Sequence, residues 1–147
     1  MRPKPSHQLR NLLVIAGLFI AYAIWAGTYH YDNEKAARFV TEHAESRSHC
    51  CCAWYVMRAM QAGGCPIGIL PAWAYRYALP FYGFSEIPES EFVPQKGDIV
   101  VFPYVGRHIY GHIAMWDGQQ WVSDFVQKDL ICSSAYKETE WRYYRKQ

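Results

Sequence analysis

From Leu12 to Thr28 the chain carries no charge, and apolar residues fill nearly every position. A run of that kind has no polar face, so it reads as a helix surrounded by lipid rather than as one side of a folded core. At 1.5 Å per residue it spans roughly 25 Å, the short end for a membrane helix. Trp25, Tyr29 and Tyr31 stand where an interfacial aromatic belt would lie. Arg2, Lys4 and Arg10 precede the run, which places the N-terminus in the cytoplasm and the rest of the chain outside. Ala21-Tyr22-Ala23 is also an A-x-A pattern for signal cleavage. Ile24-Trp25-Ala26-Gly27 stays apolar beyond it, so a retained anchor is the favoured expectation. Both outcomes export the remainder of the chain.

The pattern then changes period. Asp32 to Ala44 sets Glu34, Lys35, Arg38 and Glu42 around Ala36, Ala37, Phe39 and Val40, and predicts a helix. Glu45 to His49 is polar and turn-prone. A second helix is predicted from Cys52, with apolar Trp54, Val56, Met57 and Met60, polar Arg58 and Gln61, and a stop at Gly63-Gly64. Residues 63–83 mix Gly, Pro and aromatics and read as loop with one short helix over Ala72 to Ala78. Glu86 to Pro94 reads as a surface connection.

Beyond Lys96-Gly97-Asp98 the period falls to that of strands. Ile99 to Phe102 is an apolar strand closed by Pro103, and Asp98 reads as the structural turn residue that starts it. Gly106 to Gly111 is a loop, His112 to Trp116 a second strand and Trp121 to Phe125 a third, joined at Asp117-Gly118. Glu140 to Arg145 is a last strand. Helices first and an antiparallel meander afterwards give an α+β architecture, with the Cys52 helix packed on the sheet and one transmembrane or signal helix in front. The expected division is residues 1–30 as anchor or signal, 31–46 as a helical linker and 47–147 as the folded domain.

Composition narrows the partners. The net charge of +2 comes from fifteen basic and thirteen acidic residues. Three of the basic ones, Arg2, Lys4 and Arg10, precede the first acidic residue, so the exported part is close to neutral. No dense basic face is present, which argues against nucleic acid. The chain has five cysteines, Cys50, Cys51, Cys52, Cys65 and Cys132. Three adjacent cysteines cannot converge on one tetrahedral ion and no C-x-x-C is present, so neither metal nor cofactor is expected. An odd count leaves at least one thiol free, and the pairing of the others stays open.

Cys52 stands in the first turn of its predicted helix, where unpaired N–H groups and the helix dipole favour a thiolate. A buried, inert cysteine fits the same position, so the downstream residues decide. A nucleophile needs a base, and the base an orienting group. Of six histidines, His112 opens a strand beside Gly111, where its ring can project toward a helix end. The returning strand offers Ser123 and Asp124. A two-residue turn at Asp117-Gly118 sets Ser123 opposite His112, and a three-residue closure sets Asp124 there. A carboxylate holds a histidine better than a hydroxyl does, so Asp124 is chosen.

Four stretches in order, CAWYV, KGDIVVF, GHIAMWDG and WVSDF, resemble the CHAP family of papain-like bacterial cell-wall amidohydrolases and peptidases. Ala62-Gly63-Gly64 after the cysteine helix is similar to the type VI secretion amidase effectors. The resemblance covers about residues 47 to 145. It implies Cys52 as nucleophile, His112 as base and Asp124 as third member. It implies hydrolysis of a peptidoglycan amide, by an amidase or an endopeptidase, through a cysteine acyl-enzyme. Toxin, lysis enzyme and resident wall-remodelling hydrolase are the uses it allows, and a toxin would have a cognate immunity protein. The expected location is the inner membrane, through residues 11–28, with the catalytic domain in the periplasm. The alternative is a catalytically inactive, membrane-tethered wall-binding module.

Overall fold

The computed structural model describes residues 7–147 and, of residues 23–28, the backbone alone. Helix α1 runs over His7–Thr28. Its described apolar side chains, Leu12, Leu18 and Phe19 among them, stand exposed on every side. Among the described residues no helix is long and apolar enough to cross a membrane. The span expected over residues 11–28 is therefore not found. The described side chains of α1 end at Tyr22, and Arg2, Lys4 and Trp25 of that expectation lie outside the described residues.

Helix α2, Asn33–His43, begins under Asp32, whose carboxylate accepts the N–H of Lys35 at 2.9 Å. It buries Ala36, Ala37 and Val40 against α3. The segment expected as a linker over 31–46 thus joins the core. Helix α3, Cys52–Ala62, buries Cys52, Val56, Met57, Ala59 and Met60, one stripe of a 3.6-residue period. It ends where Gly63 passes α2. A Cβ there would stand 2.7 Å from the Tyr31 ring and 2.9 Å from the Asp32 carbonyl oxygen, so only glycine lets the two segments meet. A short helix α4, Tyr75–Ala78, follows a 3-10 turn at Ala72–Ala74.

Five antiparallel strands form one sheet in the order β1-β5-β2-β3-β4, with β1 Phe84–Ile87, β2 Ile99–Phe102, β3 His112–Trp116, β4 Trp121–Val122 and β5 Arg142–Lys146. Strand β2 is buried at all four positions, which is why it reads as an unbroken apolar run. Ile99, Val101, Ile113, Met115 and Val122 belong to the core shared with α3. Val100, Phe102, Ala114, Trp121 and Tyr143 face the other way, where Tyr136 and Leu130 of the late loops cover them.

Three expectations change. Strand β1 falls in a stretch read as loop and surface connection. Strand β5 returns between β1 and β2, so the sheet is no simple meander. The hairpin after β3 is closed by four residues, 117–120, because the Asp117 carboxylate accepts the N–H groups of Gln119 and Gln120, each at 2.8 Å. Met115 pairs with Val122 and Trp116 with Trp121. Neither two-residue nor three-residue closure occurs, and the third strand stops at Val122.

Asp98 is fully buried and accepts both arms of the Arg145 guanidinium, from Nε at 2.8 Å and Nη2 at 2.7 Å. It also accepts the Gln95 N–H at 2.8 Å. This pair ties β5 to the start of β2. Replacing Arg145 by alanine leaves a buried carboxylate without its cation, and is expected to lower unfolding free energy by about 3 kcal/mol. Denaturant melting of Arg145→Ala beside Asp98→Asn/Arg145→Met checks this, since the double variant removes the stranded charge.

Candidate active site

Cys52 is the first residue of α3, and its position is set by the loop before it. Cys51 caps the helix without a side-chain bond. The loop is instead fastened from outside by Asp124. One carboxylate oxygen, Oδ2, accepts the N–H of His49 at 2.6 Å, the hydroxyl of Ser48 at 3.1 Å and the N–H of Cys51 at 3.3 Å. Oδ1 accepts the hydroxyl of Ser123 at 3.1 Å, and the Asp124 carbonyl oxygen accepts the N–H of Glu45 at 2.8 Å. Asp124 is fully buried. Burial works to raise its pKa, but the donors from His49, Cys51 and Ser123 outweigh it and hold the carboxyl below its ordinary value. With the loop so fastened, Cys50 sits at φ +60, a left-handed conformation a cysteine seldom adopts.

The backbone N–H groups of Ile113 and Ala53 lie near the Cys52 sulfur and act to lower its pKa. The first of these belongs to the residue after His112, so the thiol lies at the beginning of β3. Burial pushes the thiol up to about 12, the two amides oppose that, and the Asp124 charge adds to it. The helix start therefore does not give a resting thiolate, contrary to the sequence expectation. Desolvation exceeds what a dipole and two N–H groups return.

His112 opens β3 and is buried, with its ring 5.8 Å from Phe102 and 6.2 Å from Tyr136 between centroids. Gly111 makes this entry possible. It sits at φ +68, and a Cβ would stand 2.6 Å from the Phe102 carbonyl oxygen. Burial lowers the His112 pKa to about 4, with Asp124 raising it and His108 lowering it. At neutral pH the Cys52 thiol and the His112 imidazole are thus both neutral.

The side chain bonded to His112 is Gln127, whose Nε2 lies 2.7 Å from His112 Nε2. Gln127 is itself buried, reaches Ser123 Oγ at 3.4 Å, and leaves its Oε1 without a partner. A half-turn of this amide brings Oε1 to the imidazole. His112 then donates from Nε2 and keeps Nδ1 free to accept a proton, the form a base requires. Sequence reasoning placed Asp124 in this role. The structure shows Asp124 bonded to the loop before Cys52, with only its charge reaching the histidine. Gln127 stands fifteen residues beyond His112 in no regular element, so strand parity carried no signal for it.

All five cysteines are free thiols, Cys50 and Cys51 exposed and Cys65 buried. Among the described residues no three His, Cys, Asp or Glu side chains are grouped to hold a metal ion.

The two titrations have a consequence for stability. An unfolded chain binds a proton on His112 below about 6.5, and the folded chain does so only near 4. Between those values the unfolded state holds more protons, so stability is full above about 6.5 and falls as pH drops toward 4. The loss is on the order of 3 kcal/mol. Asp124, held low, adds a second loss in the same direction at pH below the ordinary carboxylate range. Chemical denaturation from pH 7 to 4 should show the slope, and His112→Gln should flatten it.

The CHAP domain family profile matches residues 42–124. Two crystal structures of the type VI effector–immunity complex Tae3–Tai3 from Ralstonia pickettii contain a chain similar to this one. For the native complex the TM-score is 0.73 at 31% identity, covering 80% of this chain and 100% of that chain. For the selenomethionine complex it is 0.69 at 32% identity, covering 75% and 98%. No curated protein sequence matches.

Proposed function

The chain belongs to the CHAP domain family, and on that premise we propose that it hydrolyses an amide bond of peptidoglycan through a thioester on Cys52. The observation that supports the reading is Cys52 at the head of α3, packed in one core with Ile113, the residue after a buried His112 that has its own polar partner. In the attack, His112 Nδ1 takes the thiol proton as sulfur bonds to the carbonyl carbon. Two neutral groups thereby avoid holding a charge pair in a buried site before substrate arrives. The N–H of Cys52, at the open first turn of α3, donates to the developing oxyanion. As the C–N bond breaks, His112 returns the proton to the leaving amine. Water, deprotonated by His112, then cleaves the thioester to a carboxylate and restores the thiol.

The similarity to a type VI effector–immunity complex supports an antibacterial toxin with a cognate immunity protein as partner. Peptidoglycan lies beyond the inner membrane, so the domain must be delivered to the periplasm. Expression directed to the periplasm should lyse cells, and expression of residues 31–147 without a leader should not. Equal growth in both cases would remove the toxin reading.

Mass spectrometry of purified peptidoglycan after digestion tests the chemistry. Each cleavage is expected to create one amino group and one carboxylate within or at the root of the stem peptide. Intact material, or cleavage confined to glycosidic bonds, would refute it.

A further inference from the structure

The loop that delivers His112, residues 103–111, is fastened to the turn Ala72–Ala74. Trp73 N–H donates to the Tyr110 carbonyl oxygen at 3.1 Å, and a Cβ on Gly111 would stand 3.1 Å from that of Trp73. Aromatic rings gather around this contact. Trp73 meets Tyr104 at 6.1 Å and Tyr77 at 6.5 Å between centroids, with interplanar angles of 75° and 82°. Tyr104, Tyr110 and Tyr77 are 68%, 65% and 63% exposed. Single exposed aromatics need no explanation, but a connected group that starts two residues from a candidate base does. Nothing in the hydrolytic chemistry uses it.

In each edge-to-face pair the edge of one ring takes up one face of the other, so the group is not closed by stacking. Each tyrosine offers an apolar face and a hydroxyl rim, and the Arg76 guanidinium lies over the Tyr77 ring, 5.7 Å from its centroid, where it adds a charged donor to the group. A pyranose ring has the complementary build, one face of C–H bonds and a rim of hydroxyl and N-acetyl groups. We propose that Trp73, Tyr77, Tyr104 and Tyr110 form a saccharide subsite that holds the glycan strand while the attached peptide reaches Cys52. The proposal rests on peptidoglycan being the substrate. It gives the polymer a grip beside the reacting bond, and binding energy from that grip would lower KM on whole peptidoglycan.

The test uses the full chain carrying Cys52→Ala, so that nothing is consumed, and glycan strands stripped of their peptides as the probe. Trp73 reports binding by fluorescence. The parent is expected to bind, and Tyr77→Ala/Tyr104→Ala to bind about tenfold more weakly. Tyr77→Phe/Tyr104→Phe, which keeps both ring faces, is expected to stay close to the parent. In the active protein the alanine pair should raise KM on intact peptidoglycan about tenfold, with kcat/KM on a glycan-free stem peptide unchanged. Equal binding by parent and alanine pair, or an equal loss on the glycan-free peptide, overturns the subsite. A parent that binds stripped strands but cuts nothing supports the subsite and refutes the hydrolase. A parent that cuts peptidoglycan and ignores stripped strands does the reverse.

Discussion

Replacing Cys52 by alanine is expected to cut amino-group release from purified peptidoglycan by at least about 10³-fold, with unfolding free energy changed by no more than about 1 kcal/mol. The size of the effect comes from the mechanism. Without the sulfur no thioester forms, and water would have to attack the amide directly with only the oxyanion donor in place. The small cost to stability reflects the loss of a single buried sulfur atom. The neighbouring cysteines provide the contrast. Cys50 and Cys51 are exposed, and Cys51 uses its backbone N–H, which alanine retains, to reach Asp124. Cys51→Ala should therefore keep most of the activity. Cys50→Gly should keep it too, while relieving the left-handed strain at φ +60. Loss of turnover in Cys51→Ala with retention in Cys52→Ala would move the nucleophile by one residue.

The second large effect separates two buried polar side chains, Gln127 bonded to His112 and Asp124 bonded to the loop before Cys52. Gln127→Leu is expected to lower kcat about 10²-fold with little loss of fold, because it frees the His112 ring to take an unproductive tautomer. Gln127→Glu sets an anion 2.7 Å from His112 Nε2 and should raise the histidine pKa from about 4, moving the acid limb of kcat/KM to higher pH. A merely structural glutamine would leave that limb in place. Asp124→Ala behaves differently. It removes the acceptor of Ser48, His49 and Cys51 and is expected to cost about 3 kcal/mol of stability or more. Activity then falls because the loop holding Cys52 is released, and the melting curve moves with it. Gln127→Leu destabilised as much as Asp124→Ala would show that the assignment of roles is reversed.

The parts of this protein that read directly from its sequence are those governed by short-range periodicity. The stripe Val56, Met57, Ala59 and Met60 announces α3, and the uninterrupted Ile99 to Phe102 announces a strand buried on both faces. The expected places of Cys52 and His112, each at an element's first residue, are legible because each has a recognisable neighbour. The misses depend on what no local pattern records. Phe84-Ser85-Glu86-Ile87 alternates too weakly to announce an edge strand, and it pairs with a strand nearly sixty residues away. The register after β3 is decided by the Asp117 carboxylate bonding its own turn. Once that turn takes four residues, parity no longer points to Asp124, and the histidine finds Gln127 from a loop. The acid–base state departs from the sequence expectation for a related reason. A helix dipole can be inferred from position, whereas the burial that pushes the thiol up and the imidazole down arises only from the assembled core.

The most direct measurement is the intact mass of the protein quenched in acid during turnover of a peptidoglycan fragment, followed by peptide mapping of the modified species. The account predicts an added mass equal to the acyl part of the substrate, carried on Cys52, and absent from both Cys52→Ala and His112→Ala. Turnover with no acyl adduct, or an adduct on Cys50, Cys51, Cys65 or Cys132, would contradict it.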